Sequence, residues 1–198
     1  MGILKNGFPR ESTSAVEVGG VRTNFRMPDL ISIGLGGGSI VRESGSDVTV
    51  GPESVGYRIT EKALVFGGST LTTTDCAVCY GLASIGDSSC VSGLKKGLVE
   101  RTVQRIREMV EEVIDRIKTT SDDVPVVVVG GGSILLSREL AGASSVIVPD
   151  HFDVANAIGA AISQVSGSVD GVFDVATKGR DAVINEVKEA AKKEAVKA

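Results

Sequence analysis

The spacing of apolar residues divides the chain into helical and extended segments. Between Leu94 and Ile117, apolar residues recur every three or four positions, which predicts an amphipathic helix with Ser92 as its N-cap. The continuous apolar run at residues 124–129 predicts a strand buried on both faces, as in parallel sheets. The run at residues 30–35 predicts a further strand. This alternation is typical of an α/β protein.

Turn signals and shorter runs indicate the remaining elements. Asn6-Gly7 predicts a hairpin over residues 3–10, and residues 14–18 alternate as a third strand of its sheet. The pattern then predicts a short helix over 137–141, a strand over 146–148, a helix over 154–165 capped by Asp153 and a helix over 177–198. Residues 44–74 are rich in turn signals and poor in strand signals. We expect one lobe over residues 1–198 with a loop-rich insertion at about residues 44–92.

Composition narrows the class of protein. The 198 residues are 42% hydrophobic and 4% aromatic, so a core of aliphatic side chains is expected. The net charge of −4 argues against a nucleic-acid-binding protein. No signal peptide is recognisable, and no apolar run is long enough to span a bilayer. These features predict a cytoplasmic protein that binds neither nucleic acid nor membrane.

The three cysteines do not define a site by their spacing. Cys76 and Cys79 form one C-x-x-C pair, and Cys90 stands apart. Structural or incidental thiols are the favoured interpretation, because zinc usually takes four ligands and cysteine is commonly buried. A redox pair and a metal site stay open as alternatives.

Two glycine runs are the strongest candidate binding elements. They are Gly36-Gly37-Gly38-Ser39 and Gly130-Gly131-Gly132-Ser133, and each follows a predicted strand. A strand leading into a glycine turn can present backbone N–H groups to a phosphate or nucleotide. A tight turn without a ligand is the alternative for each run.

Several stretches resemble one protein family. The segments are SIGLGGGSIV, VVVVGGGS and HFDVANAIGAA, supported by GPESVGY and TDCAVCYG. Together they resemble the C-terminal part of the large, hydantoinase A subunit of the hydantoinase/5-oxoprolinase family. The resemblance implies a ribonuclease-H-like, actin-like ATPase lobe, in which helices flank a mixed sheet.

The resemblance also implies roles for individual residues. Gly130 to Ser133 match the position where the fold passes close to adenosine, and Gly36 to Ser39 match a run expected to line the cleft. Asp75 is a catalytic candidate because it matches a segment that could position substrate or metal, although a helix N-cap is as common for such a residue. His151, the only histidine, is a catalytic candidate with a structural cap as the favoured alternative. Asn156 and Gly159 match a helix that packs beneath the nucleotide in the family. Close packing without a ligand is the alternative explanation for these residues.

The chain also departs from the family pattern. The two D-x-G-G-T-type phosphate loops that bind ATP phosphates and Mg²⁺ in the family do not occur here. The opening GILKNGFPR resembles the strand that comes after the second of them. We therefore expect a truncated lobe, inactive alone and prone to self-association through exposed apolar surface.

The function implied by the resemblance is ATP-dependent opening of a small cyclic amide, of the hydantoin or 5-oxoproline type. ATP and Mg²⁺ would be the cofactors of the parent protein, and a second hydantoinase-type subunit or domain its partner. Carboxylases of the acetone and acetophenone type share the scaffold, so the substrate stays open. The alternative is a non-enzymatic nucleotide-binding regulatory or assembly module of the actin-like superfold.

Overall fold

The computed structural model describes residues 1–11, 16–18, 21–23, 28–163 and 165–197, with the backbone alone for residues 16–18 and 21–23. These residues fall into two compact units, Met1–Ala155 and Asn156–Ala198. The expectation of one lobe with an insertion stays a prediction.

Two small antiparallel sheets come first in the chain. Strands β1 (Leu4–Lys5) and β2 (Phe8–Pro9) form the predicted hairpin, with Asn6 and Gly7 at φ 54° and 83° in its turn. Strands β3 (Val16–Val18) and β4 (Val21–Thr23) pair with each other in a separate sheet. The prediction that residues 14–18 extend the hairpin is therefore wrong over 16–18, and residues 14 and 15 lie outside the described residues.

A longer hairpin comes after the first glycine run. Strands β5 (Ser39–Ser44) and β6 (Asp47–Ser54) pair antiparallel, with Gly45 at φ 62° in the turn. The prediction of a strand-poor region from residue 44 is wrong here. Its turn residues close a hairpin whose second strand buries alternate positions through Val48 and Val50.

Helices form the centre of the first unit. After α1 (Ile59–Lys62) and α2 (Thr73–Tyr80), helix α3 runs over Lys96–Ile117, so the long predicted helix is confirmed. It begins after the predicted N-cap, because Ser92 ends a short 3-10 helix at Ser88–Val91. The buried face of α3 consists of Leu98, Val99, Thr102, Ile106, Val110, Val113, Ile114 and Ile117.

The last sheet of the unit is parallel, as predicted. Strand β7 (Val124–Val127) pairs with β8 (Ala143–Ile147), and a 3-10 helix at Gly131–Leu135 lies between them. The described residues 137–141 contain no helix, so that prediction is wrong. The predicted strand at 146–148 is present but begins earlier.

The observed strand pairing and side-chain exposure correct two strand predictions. Within residues 30–35, only Leu30 takes part in a ladder, through an isolated bridge to Gly2. Burial of residues 124–129 on both faces is also wrong, because Val127 and Val129 are each 51% exposed. Mixed α/β structure is confirmed, but the strands of the described residues form four two-stranded sheets instead of one mixed sheet.

The core is organised along α3. Ile106 packs in one buried cluster with Val50 and Ala77, and Ile114 packs in another with Leu140. A polar contact adds to this packing: the Glu111 carboxylate accepts hydrogen bonds from the Ala141 N–H and from Arg107 Nε, each at 2.8 Å. These hydrogen bonds lower the pKa of Glu111 below its usual value. Helix α3 therefore fixes the segment that leads into β8.

The second unit is helical. Helix α4 (Ala155–Ala161) enters it, and α5 (Val175–Lys178) and α6 (Arg180–Lys197) come after it. The predicted helix over 154–165 is therefore shorter than expected, and that over 177–198 is confirmed over residues 180–197, while residue 198 lies outside the described residues. Gly167 lies so close to α6 that an added Cβ would be 2.0 Å from the Ala191 carbonyl oxygen. No helix in the described part of the chain is long and apolar enough to cross a membrane.

Truncation of a buried side chain of α3 tests this organisation. Ile114 is 1% exposed, so Ile114→Ala should lower the free energy of unfolding by about 2–5 kcal/mol in urea titrations. Ile147 is 46% exposed, and Ile147→Ala should change it by only about 0.5 kcal/mol. Equal losses would contradict α3 as the centre of the core.

Candidate functional site

The first glycine run is held by the N-terminus of α2. Thr73 Oγ1 donates to the carbonyl oxygens of Gly36 and Gly37 at 2.5 and 2.9 Å. The Thr74 N–H and hydroxyl both donate to the Gly37 oxygen, at 3.1 and 2.9 Å. The Thr74 N–H lies in the first turn of α2, where backbone N–H groups can bind anions. In this structure it is hydrogen-bonded to the glycine loop instead.

Internal packing accounts for two of the glycines in this run. A Cβ on Gly37 would lie 2.8 Å from Thr74 Oγ1, and one on Gly38 would lie 2.9 Å from Ser54 Oγ. Ser39 is 2% exposed, and its hydroxyl oxygen accepts from the Gly36 N–H at 2.9 Å. These contacts favour the tight-turn alternative, while Gly36 is the member with open space beside it. A ligand role for this run stays a prediction.

Asp75 is buried in a capping box. Thr72 is the N-cap of α2, and its N–H and hydroxyl donate to Asp75 Oδ2 at 2.7 and 2.8 Å. The Val65 N–H donates to Oδ1 at 2.7 Å, and Asp75 is 0% exposed. Both carboxylate oxygens are therefore used to hold α2 and the preceding 3-10 helix, Leu64–Phe66. The structure favours a capping role, and the catalytic role stays a prediction.

Sequence reasoning missed the three threonines before Asp75. Thr72, Thr73 and Thr74 are each no more than 2% exposed, and all three hydroxyls make hydrogen bonds within this cluster. The available signal was the T-x-x-D spacing of a capping box, which places Thr72 and Asp75 one helical turn apart.

The second glycine run has a different environment. It lies at the carboxyl end of β7; Gly130 has φ 86°, and its N–H donates to the Phe152 oxygen at 2.6 Å. Gly131 and Gly132 are not buried, and a Cβ on either would meet no atom within 4 Å. Packing among the described residues therefore does not require glycine at positions 131 and 132.

A cleft of about 320 Å³ adjoins this run. The Ser133 hydroxyl oxygen in its wall is buried and has no hydrogen-bond partner among the described residues. Apolar side chains make up most of the lining, which consists of Met1, Ile31, Ser32, Ile33, Leu35, Val110, Val113, Val128, Val129, Gly132, Ser133, Leu135 and Leu136. Open space near the carboxyl end of a parallel strand is where ligands commonly bind in α/β folds.

The remaining candidates are His151 and two residues of α4. His151 is exposed, lies in the left-handed region at φ 59° and accepts the Val154 N–H through its backbone oxygen. That position begins the 3-10 helix Phe152–Val154 without a side-chain cap. Asn156 and Gly159 are exposed residues of α4 in the second unit, and no atom would meet a Cβ on Gly159. Their predicted roles stay predictions.

The cysteines lie in contrasting environments. Cys76 is buried in α2, and burial raises the pKa of its thiol to about 12. Cys79 is partly buried and Cys90 is exposed. Among the residues that the structure describes, no group of three or more His, Cys, Asp and Glu side chains is arranged to hold a metal ion.

Comparison with known proteins finds two likenesses for this α/β chain. Residues 3–84 match the family model described as hydantoinase/oxoprolinase. The chain is also similar to a nucleotide-free structure of acetone carboxylase, described with the mechanism of ATP-dependent acetone carboxylation. No curated protein matches the sequence significantly.

The two likenesses differ in extent and in kind. The acetone carboxylase structure is 18% identical with a TM-score of 0.61, and the match covers 95% of this chain and 32% of that one. This likeness shows a shared fold, and the chain spans about a third of that structure's length. Residues 3–84 thus match the hydantoinase/oxoprolinase family model, the family that the sequence motifs resemble.

Replacement of the Asp75 carboxyl group by an amide tests the capping role. Asp75→Asn should lower the free energy of unfolding by about 1–3 kcal/mol, because an amide NH₂ group would face a backbone donor in a buried site. Asp153→Asn, at an exposed position, is the control and should change it by about 0.5 kcal/mol. Urea unfolding measures both, and an Asp75→Asn variant as stable as the control would contradict the capping role.

The two glycine runs should respond differently to an added methyl group. Gly37→Ala should destabilise the chain by about 1–3 kcal/mol, because its Cβ would press against Thr74. Gly131→Ala should change the stability by only about 0.5 kcal/mol, since its Cβ enters open space. Thermal unfolding of the two variants measures this difference, and the opposite order would show that the runs are wrongly assigned.

Proposed function

We propose that this chain is a segment of an ATP-dependent enzyme of the hydantoinase/oxoprolinase family, and that its second glycine run contacts the nucleotide. The observation that carries the proposal is the open space around Gly131 and Gly132 beside the carboxyl end of β7. Glycine at both positions has no internal explanation among the described residues. Close approach of a ligand to the backbone would supply one.

The comparisons support this proposal. A hydantoinase/oxoprolinase match covers residues 3–84, and the acetone carboxylase that shares the fold is described by an ATP-dependent reaction. We infer an actin-like ATPase lobe of which this chain contributes the adenosine side of the nucleotide cleft. Its place of action would be the cytoplasm.

The proposed chemistry assigns a binding role to this chain. Backbone N–H groups of Gly131 and Gly132 would donate to nucleotide oxygen atoms, as glycine loops do in other nucleotide sites. ATP would supply a phosphoryl group to activate the carbonyl oxygen of a small cyclic amide, such as a hydantoin or 5-oxoproline. The described residues do not form a metal-binding group, so we derive no step through Mg²⁺. A second hydantoinase-type subunit or domain would complete the enzyme.

Nucleotide titration of the 198-residue chain tests the assignment. Gly131→Val should raise the Kd for ATP by about tenfold or more, because its side chain would occupy the ligand's space. Gly93→Val is the matched control, since a Cβ on Gly93 also meets open space and Gly93 belongs to neither run. Isothermal titration calorimetry measures the Kd, and thermal unfolding checks that both variants fold.

The outcomes separate the proposal from its alternatives. Weaker binding by the Gly131 variant alone supports a nucleotide site at this run. If both variants bind ATP with the same affinity as the original chain, the nucleotide site lies elsewhere. We expect no ATP hydrolysis by this chain alone, and turnover abolished by Gly131→Val would contradict its role as one part of a larger enzyme.

A further inference from the structure

The first glycine run carries two backbone donors that its packing does not use. The close packing of Gly37 and Gly38 explains why neither residue has a side chain. It leaves their N–H groups, here called the donor pair, without an acceptor among the described residues. By contrast, the Gly36 N–H donates to Ser39 Oγ, and the Ser39 N–H donates to the Gly36 oxygen. Successive unpaired N–H groups in a turn can receive an oxygen atom of a ligand.

The loop after β6 lies directly beside the donor pair. The Val55 N–H donates to the Gly38 oxygen at 2.9 Å, and a Cβ on Gly38 would lie 3.4 Å from the Gly56 nitrogen. Both segments border open space, since a Cβ on Gly36 or on Gly56 would meet no atom within 4 Å. A small molecule bound to the donor pair would therefore have room beside the glycine run and this loop.

Tyr57 adds an unused aromatic surface at this place. It comes directly after Gly56, which has φ 57°, and its side chain makes almost no contact within the fold because the residue is 92% exposed. An aromatic face of this kind stacks favourably on another planar group. The donor pair and the Tyr57 ring together suit a planar molecule that carries a carbonyl oxygen.

The charged side chains that flank Tyr57 in the sequence are already paired. Glu53 forms an ion pair with Arg42 at 2.5 Å, and Arg58 forms one with Glu61 at 2.9 Å. The place therefore offers neutral backbone donors and an aromatic face. A carboxylate would lose part of its hydration here without gaining the Arg58 guanidinium as a partner, and such a loss is costly. The arrangement favours an uncharged ligand.

The first run also lies near the run that we assign to the nucleotide. Leu35, which precedes Gly36, and Ile134, which comes after Ser133, both pack against the buried cluster that contains Leu135. Contact with one cluster brings the two runs to the same part of the core. A ligand on the donor pair would therefore be close to a nucleotide on the second run.

We propose that the N–H groups of Gly37 and Gly38 bind a carbonyl oxygen of the substrate while Tyr57 stacks on its ring, and that the substrate is a neutral planar cyclic amide of the hydantoin type. This inference rests on the proposed function, which supplies the class of small cyclic amides. Within that class it selects the uncharged hydantoin ring over 5-oxoproline, because Arg58 is engaged by Glu61 and does not serve a substrate carboxylate.

Solution NMR of the 198-residue chain tests the donor pair directly. Hydantoin is titrated into ¹⁵N-labelled protein, and the amide signals of Gly37 and Gly38 are followed. Both amide protons should move downfield with a common Kd, because a hydrogen bond to oxygen deshields them. The Kd of 5-oxoproline, titrated in the same way, should be about tenfold higher or more, since its carboxylate gains no cationic partner.

Two tyrosine variants test the stacking contact. Tyr57→Ala should raise the Kd for hydantoin about fivefold, which is the expected size of one aromatic contact. Tyr80→Ala is the matched control, because Tyr80 is the other tyrosine of the chain, is 51% exposed and lies at the end of α2. It should leave the Kd unchanged. Thermal unfolding checks that both variants fold.

Each other result overturns the proposal. Unmoved Gly37 and Gly38 signals would exclude the donor pair from substrate binding, and equal Kd values for the two tyrosine variants would exclude the stacking. Tighter binding of 5-oxoproline than of hydantoin would reverse the preference for a neutral ring.

The ATP titration of Gly131→Val is independent of these results and separates the two assignments. Weaker ATP binding by that variant, together with unmoved Gly37 and Gly38 signals, would defeat the substrate assignment and leave the nucleotide assignment standing. Shifted glycine signals, together with ATP affinity that does not depend on Gly131, would support the substrate contact and defeat the nucleotide assignment.

Discussion

Burial of the apolar face of α3 is the interaction on which the first unit depends. Ile106 packs with Val50 of the β5–β6 hairpin and Ala77 of α2, while Val110 and Ile114 pack with residues around β7 and β8. Helix α3 thus positions two elements. One is the β5–β6 hairpin, which adjoins the first glycine run, and the other is the parallel β7–β8 pair, which carries the second run. Loss of buried aliphatic volume in α3 would disturb both elements, since close-packed interiors relax only partly around a cavity.

The two glycine runs have similar sequences but different physical demands. At Gly37 and Gly38 the absence of a side chain permits close packing against Thr74 and Ser54. At Gly131 and Gly132 the same absence leaves open space. A glycine explained by internal packing is evidence about folding, whereas an unexplained glycine at the end of a parallel strand is evidence about a ligand. This difference directs the proposed nucleotide contact to the second run.

Asp75 shows how a residue type can suggest chemistry while its environment favours structure. Its carboxylate accepts three short hydrogen bonds from Val65 and Thr72 and is shielded from solvent. A buried carboxylate with these donors has its hydrogen-bonding capacity used internally and holds a helix N-terminus. The same arrangement aligns Thr73 and Thr74 with the glycine loop, so capping and loop geometry are linked.

The sequence by itself determined the elements whose signals are local. The Asn6-Gly7 hairpin, the long helix α3, the parallel character of β7 and the resemblance of residues 3–84 to the hydantoinase/oxoprolinase family all derive from spacing, turn residues or motifs. Tertiary structure alone decided which strands pair, that residues 31–35 stay outside a ladder, and that the Gly37 oxygen meets the α2 N-terminus. The reason is physical: periodicity records which face of a segment is apolar, whereas pairing and enclosure depend on contacts between residues far apart in the chain.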